Sequence, residues 1–279
     1  MIDSQKLFFL GVGNTAWWVA SQAEHRYTLF GTTRDINKMD KLKGAGIEPI
    51  LLGEELSSGQ ASELKSILKG AFVLVSYPPD RLSDERFGRL VGESSALIYI
   101  SSTGVYGRRE GVVDETTPVD ADFDSVRQRL DSEQHWLNLG AIVLRAPGLY
   151  CPGSGLHIRL KNGTYHLPAD GSNYTSRIHL KDLGRLILAA FEKPLPKKSI
   201  YVVGDLEPAS QIEVVTWLCK KMDLAIPDSV PLDQVPKSLQ TNRQVSPKKI
   251  LSELNFELEF PTYREGFAHC LSYVDPVAS

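Results

Sequence analysis

Lys6-Leu7-Phe8-Phe9-Leu10-Gly11-Val12-Gly13-Asn14-Thr15-Ala16 lies near the start of the chain, and its reading decides the fold. A short, mostly apolar run leads into a glycine turn. Residues 14 to about 24 then read as helix, and Arg26 to Gly31 is a second apolar run ending in Thr32-Thr33-Arg34. A glycine turn between a buried strand and a helix start presents outward backbone N–H groups. With the helix dipole, these favour an anion such as a pyrophosphate. Gly11 permits the tight bend, Gly13 leaves the backbone bare for close approach, and Ala16 stands where a third small residue lets helix and strand pack. Asn14 and Thr15 belong to the same turn. The pattern is weak alone and stronger in this strand–turn–helix setting.

The alternation continues. Helices are predicted over Asp35–Gly44, Ala61–Leu68, Ser83–Val91 and Phe123–Leu139, and strands over Ile47–Leu52, Ala71–Ser76, Ala96–Ile100 and Ala141–Leu144. Continuous apolar strands alternating with helices imply an α/β fold, a Rossmann-like doubly wound parallel sheet covered on both faces. After Arg145 the rhythm changes, and residues 146–173 are rich in Gly and Pro with little apolar period. Helices are expected over Leu180–Glu192, Gln211–Lys221, Ser246–Leu254 and Thr262–Tyr273, with one more strand at Ile200–Val203. Ser210 and Glu213 match a capping box, and Ser246 with Pro247 reads as a cap and first helical position. The expected division is a dinucleotide-binding domain over 1–146 and a smaller α/β substrate-binding region over 147–279. One strand and one helix of the latter return to the first domain.

The chain has 279 residues, 42% hydrophobic and 23% charged, which fits an ordinary globular protein with a good core. A net charge of -3 gives no basic field for nucleic acid. Cys151, Cys219 and Cys270 lie far apart without metal-ligand spacing, and His157 and His166 add no recognisable ligand set, so no metal is expected. The cysteine usage reads as reduced and cytoplasmic. No signal peptide is read at the start, and no run approaches the roughly 18 apolar residues of a membrane span.

The end of the second strand bears on the cofactor. A carboxylate there would hold the ribose hydroxyls of NAD, whereas an arginine would pair with the extra phosphate of NADP. Thr32 supplies a hydroxyl and Arg34 a guanidinium, which favours NADP over NAD, although Asp35 follows directly and can cap the next helix. Ser76-Tyr77-Pro78-Pro79 ends the fourth strand, where ligands of doubly wound sheets lie. Its prolines form a wall or merely a rigid turn. Ser101-Ser102-Thr103-Gly104-Val105-Tyr106-Gly107 sets three hydroxyls at the end of the fifth strand, able to hold a substrate oxygen or to satisfy their own turn. Trp17 and Trp18 cannot both face the sheet, so one is expected in the core and one near the surface.

In this order, Gly11-x-Gly13-x-x-Ala16, Ser101 to Gly107, Leu144-Arg145-Ala146-Pro147-Gly148-Leu149-Tyr150, Arg177-Ile178-His179-x-x-Asp182 and Pro261 to Gly266 resemble the short-chain dehydrogenase/reductase superfamily. The likeness is to its extended or atypical branch, that of NAD-dependent epimerases and dehydratases acting on nucleotide sugars. It implies a bound nicotinamide cofactor, NADP or NAD, near Ser101 and Pro147. It also implies a small-molecule substrate near Tyr150, Arg177 and His179, no nucleic acid or membrane partner, and a helix-mediated homodimer. For His179 a structural role, its ring oriented by Asp182, competes with substrate contact.

The chain departs from that family at its Tyr-x-x-x-Lys pair. With Glu133 aligned on the family's downstream glutamate, Ser125 takes the tyrosine position and Arg129 the lysine position. Serine without an adjacent base is a poor acid or base, and arginine keeps its charge but gives up no proton. Arg129 can still hold a ribose. Ser102 or Thr103 is the candidate for holding the substrate oxygen. Tyr106 is a substitute acid if it does not simply pack under its loop. The expected function is an NAD(P)-binding oxidoreductase or epimerase/dehydratase-like enzyme with atypical catalytic residues; the alternative is a non-catalytic NADP(H) sensor.

Overall fold

The computed structural model describes residues 4–23, 25–53, 55–193 and 195–273. The expected end of the first helix at Glu24 lies outside these residues. The chain divides into two compact units. The first comprises residues up to Ser102, Asp124–Arg145 and Leu183–Tyr201; the second comprises Thr103–Phe123, Ala146–Asp182 and the residues from Val202 onward. Residues 103–123 thus leave the first stretch of sequence, and most of the helix Leu180–Glu192 joins it.

The first unit is built on a seven-stranded sheet. Its strands are β1 (Gln5–Leu10), β2 (Tyr27–Thr33), β3 (Ile47–Leu51), β4 (Phe72–Val75), β5 (Ala96–Ser102), β6 (Ile142–Ala146) and β7 (Ile200–Val202), in the order β7-β6-β5-β4-β1-β2-β3. The β1–β2, β1–β4, β2–β3 and β4–β5 pairings are parallel. This is the α/β Rossmann-like arrangement that the apolar runs imply. Leu7 to Leu10 are wholly buried, because a parallel sheet wrapped by helices covers both faces of its central strand. The helices are α1 (Asn14–Ala20), α2 (Met39–Gly44), α3 (Ser58–Leu68), α4 (Arg81–Gly88) and α5 (Asp124–Asn138), together with most of the helix Leu180–Glu192. Ser57 and Gln60 close a capping box that starts α3 three residues before the apolar pattern does. One core cluster joins Phe8, Val73, Phe87, Tyr99, Trp136 and Val143. Trp17 and Trp18 are both half-buried, so neither takes the full core position expected for one of them. The Lys41 ammonium lies 5.0 Å from the Trp17 ring centre.

A buried ion pair ties α5 to the sheet. Arg145 Nη2 donates to Glu133 Oε2 at 2.8 Å and Arg145 Nε to Oε1 at 3.1 Å, with both side chains at most 6% exposed. Ser101 Oγ donates to the same carboxylate at 2.5 Å.

The second unit is assembled from short strand pairs. Gly148–Tyr150 runs parallel to Arg177–His179, Gly111–Val113 to Arg243–Val245, and Leu167–Pro168 to Ser229–Val230. Tyr174–Thr175 pairs antiparallel with Ala209–Ser210. Helices Gln211–Met222 and Tyr263–Ser272 each begin with a complete capping box, from Ser210 with Glu213 and from Thr262 with Glu265. The helix at Lys248–Leu254 is different: Pro247 is its N-cap, without a side-chain bond, so the expected Ser246 cap does not form. The glycine-rich stretch after Arg145 contains a helix, Leu156–Lys161, where the sequence shows little period. Tyr150, Leu160, Val214, Leu218, Tyr263 and Phe267 share the core of this unit.

Glu133→Ala would take from the buried Arg145 guanidinium the carboxylate that accepts two of its hydrogen bonds. Loss of one partner of a buried pair costs about 3–5 kcal/mol. Denaturant unfolding should show a stability loss of that size, whereas a loss under about 1 kcal/mol would mean that solvent replaces the carboxylate.

Candidate functional site

The glycine turn is braced from three sides. Gly11 has φ +82°, and a Cβ built on it would lie 3.1 Å from Tyr77 Cβ, so conformation and space both demand glycine. Its N–H donates to Thr32 Oγ1 at 2.9 Å, and its carbonyl accepts from Ser76 Oγ at 2.9 Å. Thr32 and Ser76 thus hold the turn through these bonds, and Thr32 also lines the cavity beside it. Val12 N–H completes the brace by donating to Thr32 O at 3.3 Å. Gly13 has extended backbone and meets nothing within 4 Å of a would-be Cβ, so the turn is bare on its outer side. Asn14 is exposed and Thr15 is buried.

A cavity of about 440 Å³ opens beside this turn, lined by Gly11, Val12, segments 32–35 and 77–80, and the side chains of Lys38, Ser83 and Arg86 among others. Arg34 Nη2 donates to Ser83 Oγ at 2.9 Å and lies 3.6 Å from Asp80 Oδ2. Asp35 caps the short turn Ile36–Lys38 by accepting the Asn37 N–H at 3.0 Å. The cavity thus gathers three cations, Arg34, Lys38 and Arg86, and two carboxylates. Lys38 and Arg86 were not identified from the sequence. Lys38 stands four residues after Arg34, a spacing that was legible; Arg86 carries no local signal on its helix.

The wall at Tyr77 is anchored from below. Tyr77 Oη donates to Asp84 Oδ1 at 3.0 Å, Trp136 Nε1 to the same oxygen at 2.9 Å, and Ser132 Oγ to Oδ2 at 2.5 Å. Burial, then the Asp84 charge, pushes the Tyr77 phenol far above its ordinary range. Pro78 lines the cavity beside it.

The end of β5 is less open than expected. Ser101 is buried and committed to Glu133, so it braces the core and does not face a ligand. Thr103 is buried, and Ser102 is the partly exposed hydroxyl of the three. On α5, Ser125 is exposed in the first turn and Arg129 is half-buried. Burial raises the Tyr99 phenol to about 12, with the Arg129 charge acting in the opposite direction.

In the second unit, Tyr106 is wholly buried and its hydroxyl donates to Asp114 O at 2.6 Å, which overturns its candidacy as an acid. Pro147 is half-buried. Tyr150, Arg177 and His179, expected at the substrate, are turned into the core. Arg177 Nη2 donates to Thr175 Oγ1 at 2.7 Å, and its guanidinium carbon lies 5.5 Å from the Tyr263 ring centre. Among the described residues, its Nη1, the Tyr150 hydroxyl and both Asp205 carboxylate oxygens are buried without a protein partner in full hydrogen-bond geometry, though the Glu207 N–H helps hold the Asp205 carboxyl down. Burial raises the Asp205 carboxyl to about 7, outweighing the opposing pull of Arg177.

His179 sits in a trio. Its Nδ1 accepts the Lys181 N–H at 3.0 Å, and its Nε2 lies 3.3 Å from His269 Nδ1 and 3.5 Å from Cys270 Sγ. These three donor atoms are close enough for a metal. Yet an Nδ1 that accepts a backbone N–H leaves the proton of the neutral ring on Nε2, the reverse of the usual ligand arrangement. Burial, then the nearby His269, lowers the His179 pKa to about 3, so the ring is neutral. Asp182 accepts the N–H groups of Glu259 and Phe260, both at 2.8 Å.

No family model matches the chain. Protein YeeZ of Escherichia coli K12 is 26% identical over 278 residues, covering 92% of this chain and 97% of YeeZ. A functionally unknown conserved protein from Silicibacter pomeroyi DSS has a TM-score of 0.82 and 28% identity, over 96% of this chain and 98% of that one. The UDP-glucuronic acid 4-epimerase of Bacillus cereus, solved with UDP-glucuronic acid and NAD, has a TM-score of 0.78 and 15% identity, over 95% and 97%. A putative NAD-dependent epimerase/dehydratase from Methylobacillus flagellatus has a TM-score of 0.76 and 21% identity, over 96% and 98%; at identities this low the likeness is one of fold. Among the described residues, no helix is long and apolar enough to cross a membrane.

Asp205 makes stability depend on pH. Its folded pKa is raised, so the folded state keeps a proton that the unfolded chain has lost, and stability falls as pH rises from about 4 to about 7. The drop is a few kcal/mol at about 1.4 per pKa unit. Asp205→Asn should flatten that slope relative to the parent in denaturant titrations; an unchanged slope would show that Asp205 titrates normally.

Proposed function

We propose that the chain binds a nicotinamide dinucleotide, NADP in preference to NAD, and acts as an epimerase, dehydratase or reductase on a nucleotide sugar or related carbonyl or hydroxyl substrate. The observation that carries this reading is the cavity beside the braced Gly11 turn, with Arg34, Lys38 and Arg86 on its lining. The fold shared with NAD-bound epimerases supports the same kind of cofactor.

In this reading the pyrophosphate lies on the bare outer side of the turn at Gly13 and Asn14, which the committed Gly11 and Val12 N–H groups hold in place, and Tyr77 with Pro78 forms the wall of the site. Arg34 takes the phosphate on the adenosine ribose through its planar fork. Arg129 holds the nicotinamide ribose by charge alone, and Ser102 donates its hydroxyl to the reacting oxygen of the substrate. A bound nicotinamide supplies hydride exchange with the carbon that bears this oxygen. The proton comes from water or the substrate, because Tyr106 is committed to Asp114 and Ser125 has no base. Residues 147–279, starting at Pro147, are assigned to substrate binding. The reading keeps the cytoplasmic location suggested by the cysteine usage and the homodimer implied by the family resemblance.

Fluorescence titration with NADPH and NADH tests the cofactor assignment. Arg34→Ala should weaken NADPH about tenfold, the scale of a charged hydrogen bond, and leave NADH nearly unchanged. Equal losses for both would overturn the role of Arg34. With a turned-over carbonyl substrate in hand, Ser102→Ala should lower kcat about a hundredfold at constant cofactor affinity, the usual cost of one oxyanion donor. Unchanged kcat would remove Ser102 from the chemistry.

A further inference from the structure

The hydrogen bonds around Arg34 have a direction. Ser83 Oγ donates its proton to Asp80 Oδ2 at 2.6 Å, and Arg34 Nη2 donates into the same serine oxygen at 2.9 Å. The chain therefore runs from Arg34 through Ser83 to Asp80, with the Arg34–Asp80 ion pair closing it at 3.6 Å. All three residues line the cavity.

This arrangement treats a phosphate and a hydroxyl differently. A phosphate oxygen only accepts, whereas a ribose hydroxyl also donates. With its proton committed to Asp80, Ser83 offers lone pairs alone, and Asp80 offers a carboxylate. Both suit a hydroxyl and oppose a phosphate, while the guanidinium favours the phosphate. Asp35, the other acid of the cavity, has Oδ1 engaged by the Asn37 N–H. The Ser83 hydrogen bond holds the Asp80 carboxyl below its ordinary range, so it is charged at neutral pH.

Asp80 is the N-cap of α4, and the Leu82 N–H helps hold its carboxyl low without a full cap bond, so an asparagine there keeps the accepting oxygen and removes only the charge. The Arg34 and Asp80 side chains are 69% and 43% exposed, and ion pairs that open contribute little to folding. The contact is thus better placed to tune what enters the cavity than to stabilise the unit.

We propose that Asp80, with Ser83, is a specificity-determining residue that restrains Arg34 and keeps the preference for NADP over NAD shallow. The inference rests on the dinucleotide reading of this cavity and adds a residue that acts against the arginine.

The test is equilibrium titration of the full chain with NADPH and with NADH, for the parent, Asp80→Asn and Arg34→Ala/Asp80→Asn. Asparagine keeps the shape and suits a helix start; Asp80→Ser, equally suited, serves if the first variant does not fold. Asp80→Asn should tighten NADPH about fivefold or more, the scale of one charge pair at close range in a wet site. NADH should stay within twofold or weaken. With Arg34 absent, the gain from Asp80→Asn should shrink. NADPH binding that is unchanged or weaker in Asp80→Asn, with the parent still binding NADPH, overturns the role of Asp80 and leaves the dinucleotide reading intact. A parent that binds neither NADPH nor NADH overturns that reading and this inference with it.

Discussion

The carboxylate of Asp84 is the point on which the first unit depends. It is buried, and a buried carboxylate is tolerated only where donors replace the water it has lost. Tyr77, Ser132 and Trp136 are those donors, from the end of β4 and from α5. One acid on α4 therefore joins a strand end to a second helix. The consequence reaches the surface, because the Tyr77 side chain, fixed by this bond, sets the space in front of Gly11. The bare glycine turn and the buried acid are two ends of one packed column. Glu133 repeats the device one strand along, gathering Ser101 and Arg145.

The strands of the first unit were legible because a parallel sheet covered on both faces needs continuous apolar runs, and these stand out between turn residues. The direction of hydroxyls was not legible. Thr32, Ser76 and Ser101 all sit near strand ends, where ligands gather in such folds, yet each bonds inward, two to the Gly11 backbone and one to Glu133. What decides this is a partner supplied by another element, and local pattern does not encode it. Strands such as Leu167–Pro168 and Tyr174–Thr175 were invisible for a different reason. Two residues are too few to show a period, and their partners lie dozens of residues away.

The second unit shows how far residue type alone can mislead. Arg177, His179 and Tyr150 have the chemistry of substrate ligands, and all three are core residues. Burial dominates their ionisation. It lowers His179, raises Asp205 and lifts Tyr150 well above its ordinary range, in each case ahead of the neighbouring charges. Among the described residues, four polar atoms of Tyr150, Arg177 and Asp205 find no protein partner in full hydrogen-bond geometry, the Glu207 N–H aside. Groups in that state are normally bridged by internal water, so this core is polar by composition as well as tightly packed.

The same contrast bears on chemistry. Under the dinucleotide reading, binding and proton transfer draw on different parts of the chain. Binding rests on a turn braced by three hydrogen bonds, which keeps its form whether or not a reaction follows. Proton transfer needs a positioned acid or base, and the α5 positions hold Ser125 and Arg129 where the family resemblance expects a tyrosine and a lysine. An arginine at that place preserves attraction to a ribose. A scaffold of this kind is suited to substrates whose own acidity, or an ordered water, completes the proton path. Its selectivity then resides in cofactor contacts and substrate pKa more than in a catalytic side chain.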